Sequence, residues 1–294
     1  MVPALANLNG VTQPLEEVKI PALDRGFLLG DAVYEVIRVY QGRPWLMEEH
    51  LRRLAHSLEA IRLQGVDLDR LQRRALETIA AGPFHEATIY IQITRGVAPR
   101  THTFPAKGTP LELLYVREFH DAYAEARRQG TAVITQPDIR WGRCDIKSTN
   151  LLANVLAAQA AREAGCLEAL LVLPDGTVTE GTHTSVFGVL DGTVLTAPNS
   201  NDILPGITRR LIIRLSGRAR IPVREQVLKR EELPRVSELF LTGTTSEVMP
   251  IIRVDDHPIA NGQVGPVTRR LQKAYQEVVH EFVHGSSGER RTPG

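Results

Sequence analysis

Lys147 is the only lysine between Lys107 and Lys229. It stands in "DIRWGRCDIKSTNLLANVLAAQAAREAG", just ahead of an alanine- and leucine-rich stretch that reads as a helix. Further on, "DGTVTEGTHTSVFGV" carries Glu180 at the head of a run of small and hydroxyl residues. These two charges are either solvated loop residues or the two ends of one bound molecule. The molecule they would suit is a phosphorylated aldehyde such as pyridoxal 5'-phosphate. Its aldehyde needs a lysine amine for a Schiff base, and its pyridine nitrogen needs an acid that keeps it protonated, so that the ring can draw electrons. Its phosphate needs backbone amides and an arginine. "LPGITRR" places Gly206, Ile207 and Thr208 at a helix start, where N–H groups have no partner within the helix. "TGTTSE" offers a second cradle, with Gly243 permitting the turn and Thr244 supplying a hydroxyl. Arg53 reads on generic grounds as a surface charge of a helix.

The whole chain sets bounds on this chemistry. Its 294 residues suit two domains, and 43% hydrophobic with 23% charged residues is ordinary globular composition. The 35 basic and 34 acidic residues nearly cancel, so neither nucleic acid nor a membrane is an expected partner. Cys144 and Cys166 are too few for a disulfide framework and wrongly spaced for zinc, so no metal is expected. The opening "MVPALANLNGVTQPLEEVKIP" has no signal region and no later run reaches membrane-spanning length, which makes the cytoplasm the expected location.

Elements that could position these residues alternate along the chain. "DAVYEVIRVYQG" (31–42) is β-branched and reads as a strand. Met47, Leu51, Leu54, Leu58 and Ile61 recur at helical spacing, and a second helix covers about 67–80. Strands at 87–96 and 110–119 follow without a helix between them, which predicts antiparallel pairing and an α+β class. Beyond 120 come a helix closed by Gly130, the strand "TAVITQP", the helix after Lys147 and a strand-rich region over 167–197. A helix opens at Pro205-Gly206, "SELFLTGTTSE" is a strand running into a turn, and a last helix spans 266–283. Val267, Leu271, Tyr275, Val278 and Phe282 line one face of that helix.

Taken in order and spacing, seven stretches are specific: "DRGFLLGDAVYEVIRVYQG", "EEHLRRL", "YIQITRGVAPRTHTFP", "DIRWGRCDIKSTNLLANVLA", "TVTEGTHTSVFGV", "ILPGITR" and "LFLTGTTSEVMPI". Through them the chain resembles the fold-type IV pyridoxal-phosphate aminotransferases, and within them the D-amino acid aminotransferases, over about residues 1–283. The resemblance implies a two-domain α+β fold. A small α/β N-terminal domain is expected over 1–119, a larger C-terminal pseudo-barrel domain over 120–283 and a disordered tail over 284–294. It implies that Lys147 is the Schiff-base lysine and moves the proton of the substrate α-carbon, and that Glu180 pairs with the pyridine nitrogen. Arg53, Gly206, Ile207, Thr208, Gly243 and Thr244 fall at or beside the phosphate, and Leu204 packs on the ring. Tyr34, Arg100 and His102 match a trap for the substrate α-carboxylate. The i, i+2 spacing of Arg100 and His102 would put both on one side of an extended chain.

The implied reaction moves an amino group from a D-amino acid, D-alanine, to a 2-oxo acid, turning 2-oxoglutarate into D-glutamate. Small-molecule amino acids and 2-oxo acids are then the partners, together with a second copy of the chain in a homodimer with a shared active site. Other tasks of the same fold are branched-chain L-amino acid transamination, (R)-amine transamination and aminodeoxychorismate lyase chemistry, and a non-catalytic cofactor carrier is a further reading. Leu151 stands where branched-chain enzymes carry an aromatic. The turn Thr182-His183-Thr184-Ser185 and Gly243 depart from residues common in relatives.

Overall fold

The computed structural model describes residues 4–285. The expected tail lies outside the described residues from 286 on, and His284 closes the last helix. Two compact units are formed. One takes the chain up to His120 together with Asp145–Leu151, and the other takes Asp121–Cys144 and the chain from Leu152. Lys147 thus sits in the first unit, while the helix that follows it belongs to the second.

The first unit is built from β1 (Leu5–Leu8), β2 (Val11–Pro14), α1 (Arg25–Leu29), β3 (Ala32–Tyr40), β4 (Arg43–Pro44), α2 (Met47–Ala60), α3 (Leu68–Ala81), β5 (Ala87–Thr94) and β6 (Leu111–Glu118). Its sheet runs β2-β1-β6-β5-β3-β4, with every pair antiparallel, among them the β5–β6 pair that the helix-free succession predicts. Period-two alternation turns Val33, Ile37 and Val39 of β3 and Ile89, Ile91 and Ile93 of β5 to one face. Leu51, Leu54 and Leu58 of α2 and Leu71, Ala75 and Ile79 of α3 cover that face and close the core, which Ile146 joins. The sequence pattern marks no element before residue 31, yet β1 and β2 form a hairpin. Its turn is Asn9-Gly10, both at positive φ (50° and 96°), the residue types that two-residue hairpin turns favour.

The second unit contains α4 (Ala124–Gln129), β7 (Thr131–Pro137), α5 (Leu152–Glu163), β8 (Glu168–Val172), β9 (Thr177–Gly181), β10 (Ser185–Leu190) and β11 (Thr193–Thr196). It continues with α6 (Ile207–Arg218), β12 (Val223–Glu225), β13 (Leu228–Lys229), β14 (Glu238–Gly243), β15 (Glu247–Val254), β16 (His257–Pro258) and α7 (Pro266–His284). Its sheet follows β12-β11-β10-β14-β15-β7-β8-β9-β13, with β16 on β15. The pairs β7–β8, β7–β15 and β11–β12 are parallel. Strands β9 and β10 stand far apart in this order, yet only Thr182–Thr184 separate them in the chain and Gly181 N–H donates to the Thr184 carbonyl at 2.7 Å. A sheet whose distant members are joined by so short a turn must curl back on itself. Val133, Leu170, Leu195, Leu239, Met249 and Ile251 fill its core. No helix of the described residues is long and apolar enough to cross a membrane.

Candidate active site

In the first unit the site grows from the alternation of β3. Glu35 falls on the core face between Val33 and Ile37 and is fully buried, where a lone carboxylate would cost several kcal/mol, roughly, without partners. Its partners come from one face of α2, three residues apart: Arg53 Nε donates to Oε1 at 2.7 Å and Nη2 to Oε2 at 2.8 Å, and His50 Nδ1 lies 2.7 Å from Oε2. Burial raises the Glu35 carboxyl, but Arg53 and then His50 pull it well below the usual carboxylate range. Burial lowers the His50 imidazole, Glu35 opposes this, and the Arg53 and Lys147 charges lower it further. His50 is therefore neutral, and since an ionised carboxylate only accepts, its Nδ1–H donates to Glu35.

Lys147 has a fixed root. Its carbonyl accepts from Tyr34 N–H at 2.9 Å, its own N–H donates to Ser57 Oγ at 3.2 Å, and Ser148 bridges to Val33. The Nζ lies 4.2 Å from the Tyr34 ring centroid, over the face of β3 opposite Glu35. Tyr34 heads a stacked row across three strands, 5.6 Å from Tyr90, which is 4.8 Å from Tyr115. Arg100 and His102 are exposed on the 95–110 connection. The chain there bends instead of running extended, with Thr101 N–H donating to the Pro99 carbonyl at 2.8 Å, so the expected extended pair becomes two side chains flanking a bend.

The second unit gathers the remaining residues. Glu180, near the end of β9, is buried. It accepts from Arg140 Nη1 and, through Oε2, from the Leu204 N–H at 3.1 Å. Arg140 is held in turn by Asp138 through Nε at 2.9 Å and Nη2 at 2.7 Å, and by the Asp202 carbonyl at 2.9 Å. Burial works against its charge, but Asp138 and Glu180 more than restore it, so Arg140 is a permanent cation beside Glu180. Burial also pushes the Cys144 thiol up to about 12. The amide of Leu204 places this residue beside the Glu180 carboxylate, two residues before Gly206.

Gly206 is the N-cap of α6, and no side chain caps it, so the first amides of that helix, at Ile207 and Thr208, face an anion-ready end. A Cβ on Gly206 would meet Ser185 Oγ at 2.6 Å, and one on Gly243 would meet Ser246 Oγ at 2.6 Å and Thr184 Cγ2 at 3.4 Å. Ser185 pairs with Thr242 across β10 and β14. The two glycine cradles therefore adjoin the same turn. That turn wraps the buried Glu168 carboxylate, which accepts from Thr182 N–H at 3.1 Å, the Thr182 hydroxyl and Thr184 Oγ1 at 3.2 Å, with His183 Nδ1 at 2.8 Å. The departures at 182–184 are thus one set of ligands to one acid.

These residues fit a phosphorylated pyridine aldehyde. Two glycines keep side chains out of a patch bordered by a helix N-terminus, and the buried hydroxyls of Thr242 and Ser246 beside it lack hydrogen-bond partners among the described residues. Glu180, Leu204, Gly206, Ile207, Thr208, Gly243 and Thr244 come together in the second unit. Tyr34 and Lys147 come together in the first, while Arg53 is held on Glu35 at the other face of β3. Arg140, Ser246, Glu35, His50 and Glu168 are absent from the sequence reading. Only Arg140 had a local cue, the Asp138-x-Arg140 spacing, since burial of the others emerges from pairing between distant segments.

The chain is similar over most of its length to proteins of known family. The family described as amino-transferase class IV matches residues 32–254. A D-alanine aminotransferase of Staphylococcus epidermidis is 38% identical over 276 residues, covering 92% of this chain and 96% of the relative. One of Bacillus licheniformis is 37% identical over 275 residues, covering 92% and 95%. Among solved structures, a branched-chain amino acid aminotransferase of Escherichia coli superposes with a TM-score of 0.89 at 28% identity, covering 98% and 97%. A second branched-chain amino acid aminotransferase, solved with pyridoxamine 5'-phosphate, gives 0.86 at 27% identity, covering 95% of each chain. A lysine rooted on a strand edge, a buried glutamate paired with an arginine and a glycine-lined helix start lie within the span that this family matches, and the chain belongs to the class IV amino-transferases.

Proposed function

We propose that the protein transfers the amino group of D-alanine to 2-oxoglutarate, giving pyruvate and D-glutamate, with pyridoxal 5'-phosphate as cofactor. The observation that carries this is Lys147: its main chain is hydrogen-bonded to Tyr34 and Ser57, and its amine rests over the Tyr34 ring. The relatives named for D-alanine support the substrate, because they are 37–38% identical where the branched-chain structures are 27–28%.

When bound, the cofactor supplies an aldehyde that takes the amino group and a ring that accepts the electron pair left at the α-carbon. Lys147 attaches it and moves the proton at the α-carbon. Glu180, held by Arg140, keeps a proton on the pyridine nitrogen by opposite charge. The amides at Gly206, Ile207 and Thr208, the Gly243 turn, the Thr244 hydroxyl and Arg53 bind phosphate, and Leu204 packs on the ring. Tyr34, Arg100 and His102 orient the α-carboxylate so that Lys147 meets the D enantiomer.

We propose further that the working form is a homodimer in which the Arg100–His102 loop serves the neighbouring subunit. Leu152, Val155 and Leu156 on α5, with Ile139 and Trp141, are large apolar side chains left exposed in the second unit, as interface residues are. The expected setting is the cytoplasm, where two free buried cysteines suit a reducing medium. The test is a half-reaction screen. The visible absorption of lysine-bound cofactor should change with D-alanine and stay unchanged with L-leucine and (R)-phenylethylamine, and Lys147→Ala should lose both the band and turnover. A response to L-leucine alone would replace this reading with branched-chain transamination.

A further inference from the structure

We propose that Asp31 is a positioning residue for the loop that carries Arg100 and His102, acting through two buried arginines that pin the loop at two points. This rests on the carboxylate-binding reading given above. The connection from β5 to β6 runs over residues 95–110, and a loop of that length inside a compact unit is mobile unless something holds it. Its start is laid against the α1 region: Arg25 N–H donates to the Gly96 carbonyl at 2.9 Å, and Asp24 bridges to Val97.

Farther along, the hold passes to side chains. Asp31 Oδ2 accepts from Arg25 Nε at 2.9 Å and from Arg95 Nε at 2.8 Å, so one carboxylate oxygen ties two guanidinium groups together. The far end of Arg25 donates through Nη1 to the Thr101 carbonyl at 2.7 Å, the residue between Arg100 and His102. The guanidinium carbon of Arg95 lies 3.8 Å from the Phe104 ring centroid. Arg95 is itself immobilised, since its Nη1 and Nη2 donate to the carbonyls of Arg62 and Ile61 at 3.2 and 2.7 Å. Arg25 is 2% and Arg95 8% exposed, so both cations need the countercharge that Asp31 brings. The two pins, at 101 and 104, bracket His102 and stand one residue from Arg100. A bend whose side chains point at solvent is thereby fixed from beneath, which is the preorganisation a carboxylate trap requires.

The test uses the full-length holoenzyme with Asp31→Asn, which loses the charge, and Phe104→Ala, which removes the distal pin without stranding a buried charge. Hydrogen exchange of amides 97–106 should accelerate by roughly ten-fold or more in Asp31→Asn. In Phe104→Ala the acceleration should be roughly 2- to 5-fold, and Phe104→Tyr, which keeps a ring over Arg95, should restore the slow exchange. For the amino acid selected by the half-reaction screen, KM should rise with loop exchange while kcat changes less. Unchanged loop exchange in both variants would overturn the proposal. So would faster exchange with KM unmoved, if Arg100→Ala raises KM in the same assay. If Arg100→Ala leaves KM alone, the carboxylate reading fails instead, and loop exchange alone judges whether Asp31 holds the loop.

Discussion

Glu180 illustrates how a residue's role is set by its neighbours. It sits with one oxygen on a permanent cation, Arg140, and the other on a backbone amide, and both contacts favour the charged form. Glu180→Gln keeps the size and loses the charge, so cofactor should still bind while the half-reaction slows by roughly ten-fold or more, in line with a lost charged hydrogen bond. Stopped-flow rates equal to wild type would reduce Glu180 to a turn residue. A second residue-scale prediction concerns acid. The His50 imidazole is held below its ordinary value, so the unfolded chain takes up a proton near pH 6.5, roughly, where the folded protein does not. Stability should therefore decline as pH falls from about 6.5 towards the lower folded value, and His50→Gln should flatten that limb of the urea-midpoint curve. The depressed Glu35 carboxyl adds a second limb, present above about pH 4.3 and lost as pH falls below it.

At the scale of elements, the cradle on β14 makes its own prediction. Gly243 ends β14, and a Cβ there would lie 2.6 Å from Ser246 Oγ. Gly243→Ser should cost about 1 kcal/mol or more of stability and weaken binding of inorganic phosphate, while Gly243→Ser with Ser246→Ala should recover both in calorimetry. The same element shows what was legible beforehand. The turn was readable because glycine and threonine carry local signals, as did the α6 start, the α2 and α7 faces and the antiparallel β5–β6 pair. Ser246 was not, because its burial depends on β15 folding against β14. Glu35 reads as a polar residue in a strand until its register with Ile91 and the cover of α2 turn it into a buried counterion. The β1–β2 hairpin was not read, because beyond the Asn9-Gly10 turn its strands are only four residues each, too short for alternation to stand out.

At the scale of the whole molecule, the proposed sharing of the site is tested by mixing one inactive and one impaired variant. Lys147→Ala and Arg100→Ala, refolded together, should recover about a quarter of wild-type activity at random pairing if Arg100 serves the partner. Recovery no higher than the mean of the separate variants, with mixed dimers demonstrated by mass spectrometry, would place Arg100 in its own chain's site. The path of the chain carries a last implication. The short segment Asp145–Leu151 is contributed to the first unit by a chain that comes from the second and returns to it. The contacts of Tyr34 N–H, Ser57 Oγ and Val33 are therefore completed only after the chain has already entered the second unit. A gene fragment ending at residue 120 encodes neither the lysine nor the strand-edge partner that β3 expects. Recombination between relatives at that junction would pair one parent's Tyr34 with the other's lysine segment, so viable chimaeras should be those that inherit 32–58 and 145–151 from the same parent.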